Sequence, residues 1–208
     1  MSWVMPSRGS LTPARVALAL SWACLAGSCA TPRYFPQGAF ADLGGELSDV
    51  PGRFERALAR MGEPALAEDR SLSFATRLTI YDDRHGAEVV RVAVGERGEV
   101  SSAYKRYGPG LANEIEGRDC ALSSEEAARL RALVSAESFW SVGNRQDVMA
   151  TGGASWMLEA KDADRYHVAY RWAVQDDAVG RIGRALLAAC KVDEAREVVW
   201  SSWTIPHS

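Results

Sequence analysis

Glu159 and His167 are the two side chains whose types and spacing most directly suggest acid–base chemistry. They lie on either side of a turn at 161–165, in two segments whose alternating apolar and polar residues predict a β-hairpin. In the register that keeps like faces matched, Glu159 is opposite His167 on a polar face, with Arg171 further along the same strand. A carboxylate that orients a histidine could make it a general base, as in a hydrolase-like enzyme. The alternative is a surface cross-strand pair without a catalytic role.

The other polar residues are weaker candidates for a site. Ser155 follows Gly153 but lacks the Gly-x-Ser-x-Gly frame of a nucleophile elbow, so we assign no catalytic residue. His85 lies beside Asp82 and Asp83 in a predicted turn, where two acids and one histidine are usually only solvated. We therefore predict no metal site and no cofactor.

The four cysteines form two pairs with different expected chemistry. Cys24 and Cys29 lie within or at the end of an N-terminal apolar segment, whereas Cys120 and Cys190 lie in the body of the chain. No Cys-x-x-Cys or Cys/His cluster suggests zinc. Export would place Cys120 and Cys190 in an oxidising compartment, so we predict a disulfide between them. Two buried, unpaired thiols are the alternative.

The segments that position these residues predict an antiparallel sheet. Alternating apolar residues predict strands at 72–80, 89–94 and 100–107, followed by the hairpin described above. In the matched register, the apolar side chains of the hairpin share one buried face, made of Trp156, Leu158, Ala160, Tyr166, Val168, Tyr170 and Trp172. With Trp140, the tryptophans of this face could instead line a ligand pocket, although aromatic residues on strand faces more often belong to the core.

Helix signals complete an α+β domain. A short helix is predicted after Asp49. Two main helices are predicted to start at Ser123 or Ser124 and at Asp176 or Asp177, residue types that favour a helix N-terminus. The apolar stretch 198–205 predicts an edge strand. Strands, helix, hairpin and helix in that order favour a single α+β domain with an antiparallel sheet and two main helices packed on it.

The N-terminus predicts an export signal. Arg8 and Arg15 precede an apolar run at 16–25, and small residues then lead to Cys29. This is the order of a secretory signal peptide, predicted here to span residues 1–28. The apolar run is too short to cross a bilayer, which takes roughly 20 residues.

The stretch Leu25-Ala26-Gly27-Ser28-Cys29 resembles the lipobox of bacterial lipoproteins, although the aliphatic Leu25 stands four residues before the cysteine rather than three. The resemblance implies that Cys29 carries acyl chains, of which more than one suffices for stable membrane anchoring. Ala30, rather than Asp, after the cysteine implies the outer membrane, with the protein facing the periplasm. Cys24 follows bulky Trp22 and fits the lipidation motif less well. Plain secretion without a lipid and an uncleaved N-terminal anchor are the alternatives.

The mature chain is predicted to have two parts. Residues 29–49 are rich in Pro, Gly and small residues and predict a flexible tether behind the lipidated cysteine, although three aromatic residues within it could dock on the domain. Residues 50–208 are predicted to form the single domain.

Short motifs along the mature chain also resemble those of a widespread, uncharacterised family of small bacterial proteins. This resemblance implies one domain and carries no reaction. The motifs are Met61-Gly62-Glu63-Pro64-Ala65-Leu66, the strand from Phe74 to Ile80, Tyr107-Gly108-Pro109-Gly110, Phe139-Trp140, the stretch from Gly153 to Glu159, Tyr166-His167 and Arg171-Trp172.

Charge and composition limit the classes of function. The formal net charge is -3 over 208 residues, which argues against an electrostatic nucleic-acid binder. The sequence therefore favours a non-enzymatic lipoprotein of the cell envelope, held at the membrane by its lipid and acting on an envelope protein or cell-wall partner. A periplasmic small-ligand binder and a hydrolase-like enzyme using Glu159 and His167 remain the alternatives.

Overall fold

The computed structural model describes residues 33–108, 114–144, 153–172 and 176–192. The strands are β1 (Leu72–Asp82), β2 (Gly86–Gly95), β3 (Val100–Tyr107), β4 (Glu116–Asp119), β5 (Ser155–Asp162) and β6 (Arg165–Trp172). The helices are α1 (Val50–Arg60), α2 (Ser124–Ala136) and α3 (Ala178–Ala189). The strands form one antiparallel sheet in the order β4-β3-β2-β1-β5-β6. The predicted α+β class is confirmed.

The two main helices start where the sequence predicts. The Ser123 side chain accepts a hydrogen bond from the Glu126 backbone N–H, and Glu126 accepts one from the Ser123 N–H in return, which forms a capping box at α2. At α3 the Asp177 side chain accepts from the Gly180 N–H. These bonds satisfy backbone donors that have no partner inside the helix.

Both faces of the sheet are buried. Helices α2 and α3 cover one face, called the helix face here, over a core that includes Phe74, Leu78 and Leu158. Helix α1 and the segments around it cover the second face, called the α1 face, over Met157 and Tyr170. The two main helices were predicted to pack on the sheet, and the short helix predicted after Asp49 is α1, which covers the opposite face.

The described part of the predicted tether docks on the domain through its aromatic residues, which is the arrangement that the sequence allowed for them. Tyr34 and Phe35 are only 3% and 5% exposed and belong to the core under α1. The Tyr34 hydroxyl donates to the Glu63 carbonyl oxygen at 3.1 Å. The composition of 29–49 suggested a linker, but burial of these aromatic rings holds the chain against the sheet before residue 50.

The register of the β5–β6 hairpin differs by one residue from the predicted one. Glu159 pairs with Val168, and Ala160 pairs with His167. The turn consists of Ala163 and Asp164 alone, with Ala163 at a φ of 51°. Because successive side chains point to opposite faces, this shift separates residues that the prediction placed on one face.

Several sequence predictions fall on residues outside the described ranges. They are the signal peptide at 1–28, the lipidated Cys29 and the edge strand at 198–205. Within the described ranges, no helix combines the length and apolar character needed to cross a membrane.

Candidate functional site

The predicted pair of Glu159 and His167 is not a pair in the structure. Glu159 lies on the α1 face of the sheet and is fully buried. His167 lies on the helix face, where its Nε2 is 2.7 Å from the Val142 carbonyl oxygen and its ring packs edge-on against Phe139. The sheet itself separates the carboxylate from the imidazole, so Glu159 cannot orient His167 as a base.

The carboxylate of Glu159 instead binds a buried arginine on the central strand. Arg77 Nε and Nη2 donate to the two Glu159 oxygens at 2.6 and 2.8 Å, and both side chains are fully buried. The Tyr166 hydroxyl donates to Glu159 Oε1 at 2.8 Å. A bidentate, hydrogen-bonded pair of this kind compensates much of the cost of removing two charges from water.

Two of these side chains have shifted pKa values. Burial opposes the charge on Arg77, but the adjacent Glu159 carboxylate raises the pKa of the guanidinium above its ordinary value. Burial, together with the negative charge of Glu159, raises the pKa of the Tyr166 hydroxyl well above its usual range. Arg77 is therefore charged and Tyr166 is a neutral donor at any physiological pH.

A second carboxylate extends this network across the sheet. Glu63 Oε2 lies 2.9 Å from Arg91 Nε on β2, and Glu63 Oε1 lies 2.9 Å from Lys105 Nζ on β3. Burial would raise the pKa of Glu63, but the charges of Arg91, Lys105 and Arg77 hold it below its ordinary value. The side chain of Glu63 is fully buried, while those of Arg91 and Lys105 are 17% and 25% exposed.

The network attaches the segment after α1 to the sheet. Arg77 Nη1 donates to the Pro64 carbonyl oxygen at 2.6 Å, and Lys105 Nζ donates to that of Met61 at 2.9 Å. Lys161 Nζ lies 3.4 Å from the Ala67 carbonyl oxygen. These bonds hold 61–67 against the sheet, a segment that contains the motif from Met61 to Leu66 noted in the sequence. The central pair of the network is closed to solvent, so we assign it to stability.

The aromatic face predicted as a possible ligand pocket is divided between the two layers. Trp156 is buried on the helix face, whereas Trp172 lies at the edge of the core under α1. Trp140 belongs to the rim of the helix-face core, with the Arg165 guanidinium 4.5 Å from its ring centroid. These three rings therefore do not line a common cavity.

His85 lies in the turn between β1 and β2, as predicted. Its Nδ1 is 2.9 Å from Asp82 Oδ1. Asp83 contacts other side chains, because its Oδ1 accepts from the Tyr81 hydroxyl and its Oδ2 lies 3.1 Å from Arg53 Nη1. Within the described part of the chain, no three His, Cys, Asp or Glu residues are grouped as metal ligands.

Cys120 and Cys190 are joined by a disulfide, with their Cα atoms 4.8 Å apart. This is the pairing predicted from the sequence. The bond connects the end of β4 to the end of α3 across 70 residues of chain. It fixes the position of the last helix relative to one edge of the sheet.

A groove of about 420 Å³ lies beside this disulfide. Its walls are the outer part of β3, the whole of β4 except its last residue, and the two residues that follow Cys190. The residues that line it, called the edge groove here, are Tyr104, Arg106, Glu116, Gly117, Arg118, Lys191 and Val192.

The register of the sheet explains why the edge groove is cationic. Tyr104 pairs with Arg118 and Arg106 pairs with Glu116, so these four side chains emerge on the same face of the sheet. Arg106 Nε is 2.7 Å from Glu116 Oε2. With Lys191, the groove has three cations and one carboxylate among its described lining residues.

Arg118 connects the groove to the end of α3. Its Nη2 donates to the carbonyl oxygens of Cys190 and Lys191 at 2.9 and 3.1 Å, where the helix dipole is negative. Its Cζ lies 5.4 Å from the centroid of the Tyr104 ring, within the range of a cation–π contact. Nη2 therefore holds the end of α3 through hydrogen bonds, while the side chain as a whole is exposed at the groove.

Sequence reasoning missed the edge groove. Strand β4 has the sequence Glu116-Gly117-Arg118-Asp119. It lacks the alternation of apolar and polar residues that would indicate a strand. The available signal was the position of these charges directly before Cys120, since a disulfide there had to bring them to the end of the last helix.

Comparison of the chain with protein-family models and with curated proteins gave no match.

Proposed function

We propose that this protein is exported, anchored through acylated Cys29 in the outer membrane on the periplasmic side, and acts by binding an envelope protein or cell-wall partner. The lipobox-like stretch before Cys29 supports the anchor. The family resemblance along the mature chain adds no reaction to this proposal.

The observation that carries the proposal is the disulfide between Cys120 and Cys190. Disulfides persist in oxidising compartments and are rare where glutathione and thioredoxin keep thiols reduced. The export signal and the disulfide are independent features of the chain, and both agree with a protein that works outside the inner membrane.

The edge groove supports binding as the mode of action. It is an exposed concave surface with an excess of positive charge. The hydrolase alternative loses its geometric basis, because the sheet separates Glu159 from His167 and the carboxylate is fully buried. General acid–base catalysis requires a group within hydrogen-bond reach of the proton it moves.

A periplasmic small-ligand binder remains the second candidate, for one reason. The volume of the edge groove, about 420 Å³, falls within the range of ligand pockets, about 300–1,000 Å³. Its lining is more charged than most such pockets, which are predominantly apolar. A charged lining of this kind agrees better with the binding of an envelope protein or cell-wall partner than with the binding of a small ligand.

The export and anchoring part of the proposal is tested with a matched pair of cysteine variants. Cys29→Ser should abolish labelling by a fatty-acid precursor and release the protein into the periplasmic fraction. Cys24→Ser removes the neighbouring cysteine and should leave labelling and membrane fractionation unchanged. Labelling that persists in Cys29→Ser, or disappears in Cys24→Ser, would refute the anchor at Cys29.

A further inference from the structure

We propose that the edge groove binds an acidic peptide segment in extended conformation, which adds as a strand to β4 and places its carboxylates against the groove cations. This inference deepens the proposed function by naming the chemistry of the partner. It rests on the protein acting by binding, but it does not depend on the lipid anchor.

The first argument is the position of β4 in the sheet. β4 is the last strand of the order, and it pairs on one side with β3 through Glu116 to Asp119. Within the described residues, no strand lies on its other side. All four residues of β4 are exposed. An exposed edge strand offers backbone donors and acceptors to an extended peptide, which is the basis of recognition by strand addition.

The opposite edge of the sheet is covered in part by the chain itself. Beyond β6, the Asn144 side chain accepts from the Tyr170 backbone N–H at 2.9 Å, and the Val142 carbonyl oxygen contacts His167. Asn144 is itself held by hydrogen bonds to Asp42. Among the described residues, the chain therefore covers part of the β6 edge and leaves β4 exposed at the other edge, which favours β4 as the edge for a partner.

The second argument is charge. A strand added next to β4 would place alternate side chains on the helix face, beside the groove residues Arg106, Arg118 and Lys191. Glu116 already pairs with Arg106. The two remaining cations favour carboxylates on the incoming peptide. The chain as a whole has a formal net charge of -3, so the positive charge is a local property of the groove. This local charge discriminates against basic partners.

The third argument is that the groove has an apolar part. The Tyr104 side chain is only 8% exposed, and Val192 also lines the groove. The aliphatic carbons of a Glu side chain on the helix face could contact this apolar part while its carboxylate reaches a cation, and the alternate residues of the added strand would face away from the groove. A free phosphate or a polyanion would use only the cations, so the two kinds of ligand can be separated by experiment.

The probe is a short fluorescent peptide of alternating Glu and Val, titrated into the full chain purified in detergent with its disulfide intact. We expect saturable binding that weakens as salt increases, because exposed charges are screened. The analogue with Gln in place of Glu should bind weakly or not at all. Equal binding of the two peptides, or no binding of the acidic one, would overturn the proposal.

Two backbone-methylated versions of the peptide test strand addition. In a peptide strand at a sheet edge, every second N–H faces the neighbouring strand. Methylation of one alternate set of amides should abolish binding, and methylation of the other set should leave it almost unchanged. If both methylated peptides bind as the parent does, the groove recognises charge without strand addition, and the proposal is wrong.

Variants of the protein locate the site. Lys191→Gln should weaken binding by about threefold, the scale of one exposed ion pair. Arg106→Gln should weaken it as well, because it leaves the Glu116 carboxylate without its partner beside the carboxylates of the peptide. Arg97→Gln removes the same charge from the exposed turn between β2 and β3 and should have no effect. An equal loss in all three variants would show an effect of net charge and exclude the groove.

The outcome can be separated from that of the proposed function. If a cross-linked envelope partner is found and Lys191→Gln leaves the cross-link unchanged, the protein acts by binding through another surface, and only the present inference fails. If Cys29→Ser retains its lipid label while the acidic peptide binds as expected, the anchoring proposal fails and the groove assignment stands.

Discussion

At the scale of single residues, the main feature is the position of Arg77 and Glu159 on the central strands. Both are fully buried, and each is the other's principal partner. Removing one member of a buried ion pair leaves an uncompensated charge in the core. Burying that single charge costs more free energy of folding than burying the intact pair. Glu159 therefore belongs to the stability of the protein, although its neighbours in the sequence suggested chemistry.

Replacing Glu159 with Gln tests this assignment. We expect Glu159→Gln to lower the free energy of unfolding by about 3–5 kcal/mol, because Arg77 keeps its charge and loses its counter-ion. Urea unfolding measures the effect. Glu125→Gln, which breaks the exposed pair with Arg129, is the control and should leave the unfolding free energy nearly unchanged. Similar stability of the two variants would contradict a buried, charged Arg77.

The Glu63 carboxyl predicts a specific pH dependence. Its pKa in the folded protein lies below the ordinary value of 4.5, despite burial, because Arg91, Lys105 and Arg77 favour the charged form. The native state then binds fewer protons than the unfolded state, so this stabilisation is present above the ordinary pKa and is lost as pH falls towards the lowered one.

We therefore expect Glu63→Gln to be less stable than the wild type at neutral pH and to lose less stability on acidification. The two unfolding free energies, measured by urea titration at a series of pH values, should approach each other below about pH 4.5. A constant difference between the two proteins over the whole pH range would show that Glu63 does not carry this dependence.

At the scale of elements, the contact of α3 with the sheet depends on one small residue. A Cβ at Gly183 would lie 2.4 Å from Cζ3 of Trp156 and 3.4 Å from Cδ1 of Leu78. Both neighbours are buried core residues of the sheet. Glycine therefore permits the helix to approach β5 closely, at the expense of helix propensity.

Two Gly→Ala substitutions separate packing from propensity. Gly183→Ala should destabilise the protein by about 1–3 kcal/mol, because the added methyl overpacks the contact with Trp156. Gly52→Ala in α1 meets only the flexible end of Arg56 at 3.4 Å and should stabilise by about 0.5 kcal/mol. Thermal unfolding of both variants gives the comparison. Stabilisation by both substitutions would mean that α3 is not packed as described.

Some elements could be predicted from the sequence because a local signal specifies them. The starts of α2 and α3 follow from capping residues at Ser123 and Asp177. Strand β1 follows from alternation between Leu72 and Ile80. These signals depend on neighbouring residues only, and the fold class could be inferred from their order.

The errors arose where the answer depends on the other layer of the protein. Register is well specified when one face is polar and one is buried, but both faces of β5 are buried. The sequence pattern therefore predicts a surface position for Glu159, whereas its partner Arg77 lies 82 residues earlier in the chain. The edge groove was missed for the same reason, since β4 and the end of α3 meet only in the folded protein.

At the scale of the whole molecule, the disulfide joins the end of the last helix to the exposed edge of the sheet. The chain between Cys120 and Cys190 contains α2, β5, β6 and α3. Closing this loop restricts the unfolded chain, for which the entropic model gives up to about 4 kcal/mol of stabilisation. The same bond fixes Lys191 and Val192 at the groove.

Loss of the disulfide should therefore affect stability and the groove together. The double variant Cys120→Ser, Cys190→Ser should unfold at a lower temperature than the wild type, and it should bind the acidic peptide more weakly. A reductant should lower the unfolding temperature of the wild type and have no effect on the double variant. Equal unfolding temperatures of the wild type with and without reductant would argue against a stabilising bond.

We propose that this chain works outside the inner membrane as a lipid-anchored protein whose disulfide fixes the end of α3 to the edge of the sheet. Mass spectrometry of the protein isolated from its native envelope, alkylated without reduction and digested, tests that claim most directly. We predict an N-terminal peptide that begins at acylated Cys29, together with a peptide pair in which Cys120 and Cys190 are joined and unalkylated. Alkylated thiols at Cys120 and Cys190, or an unmodified Cys29, would contradict it.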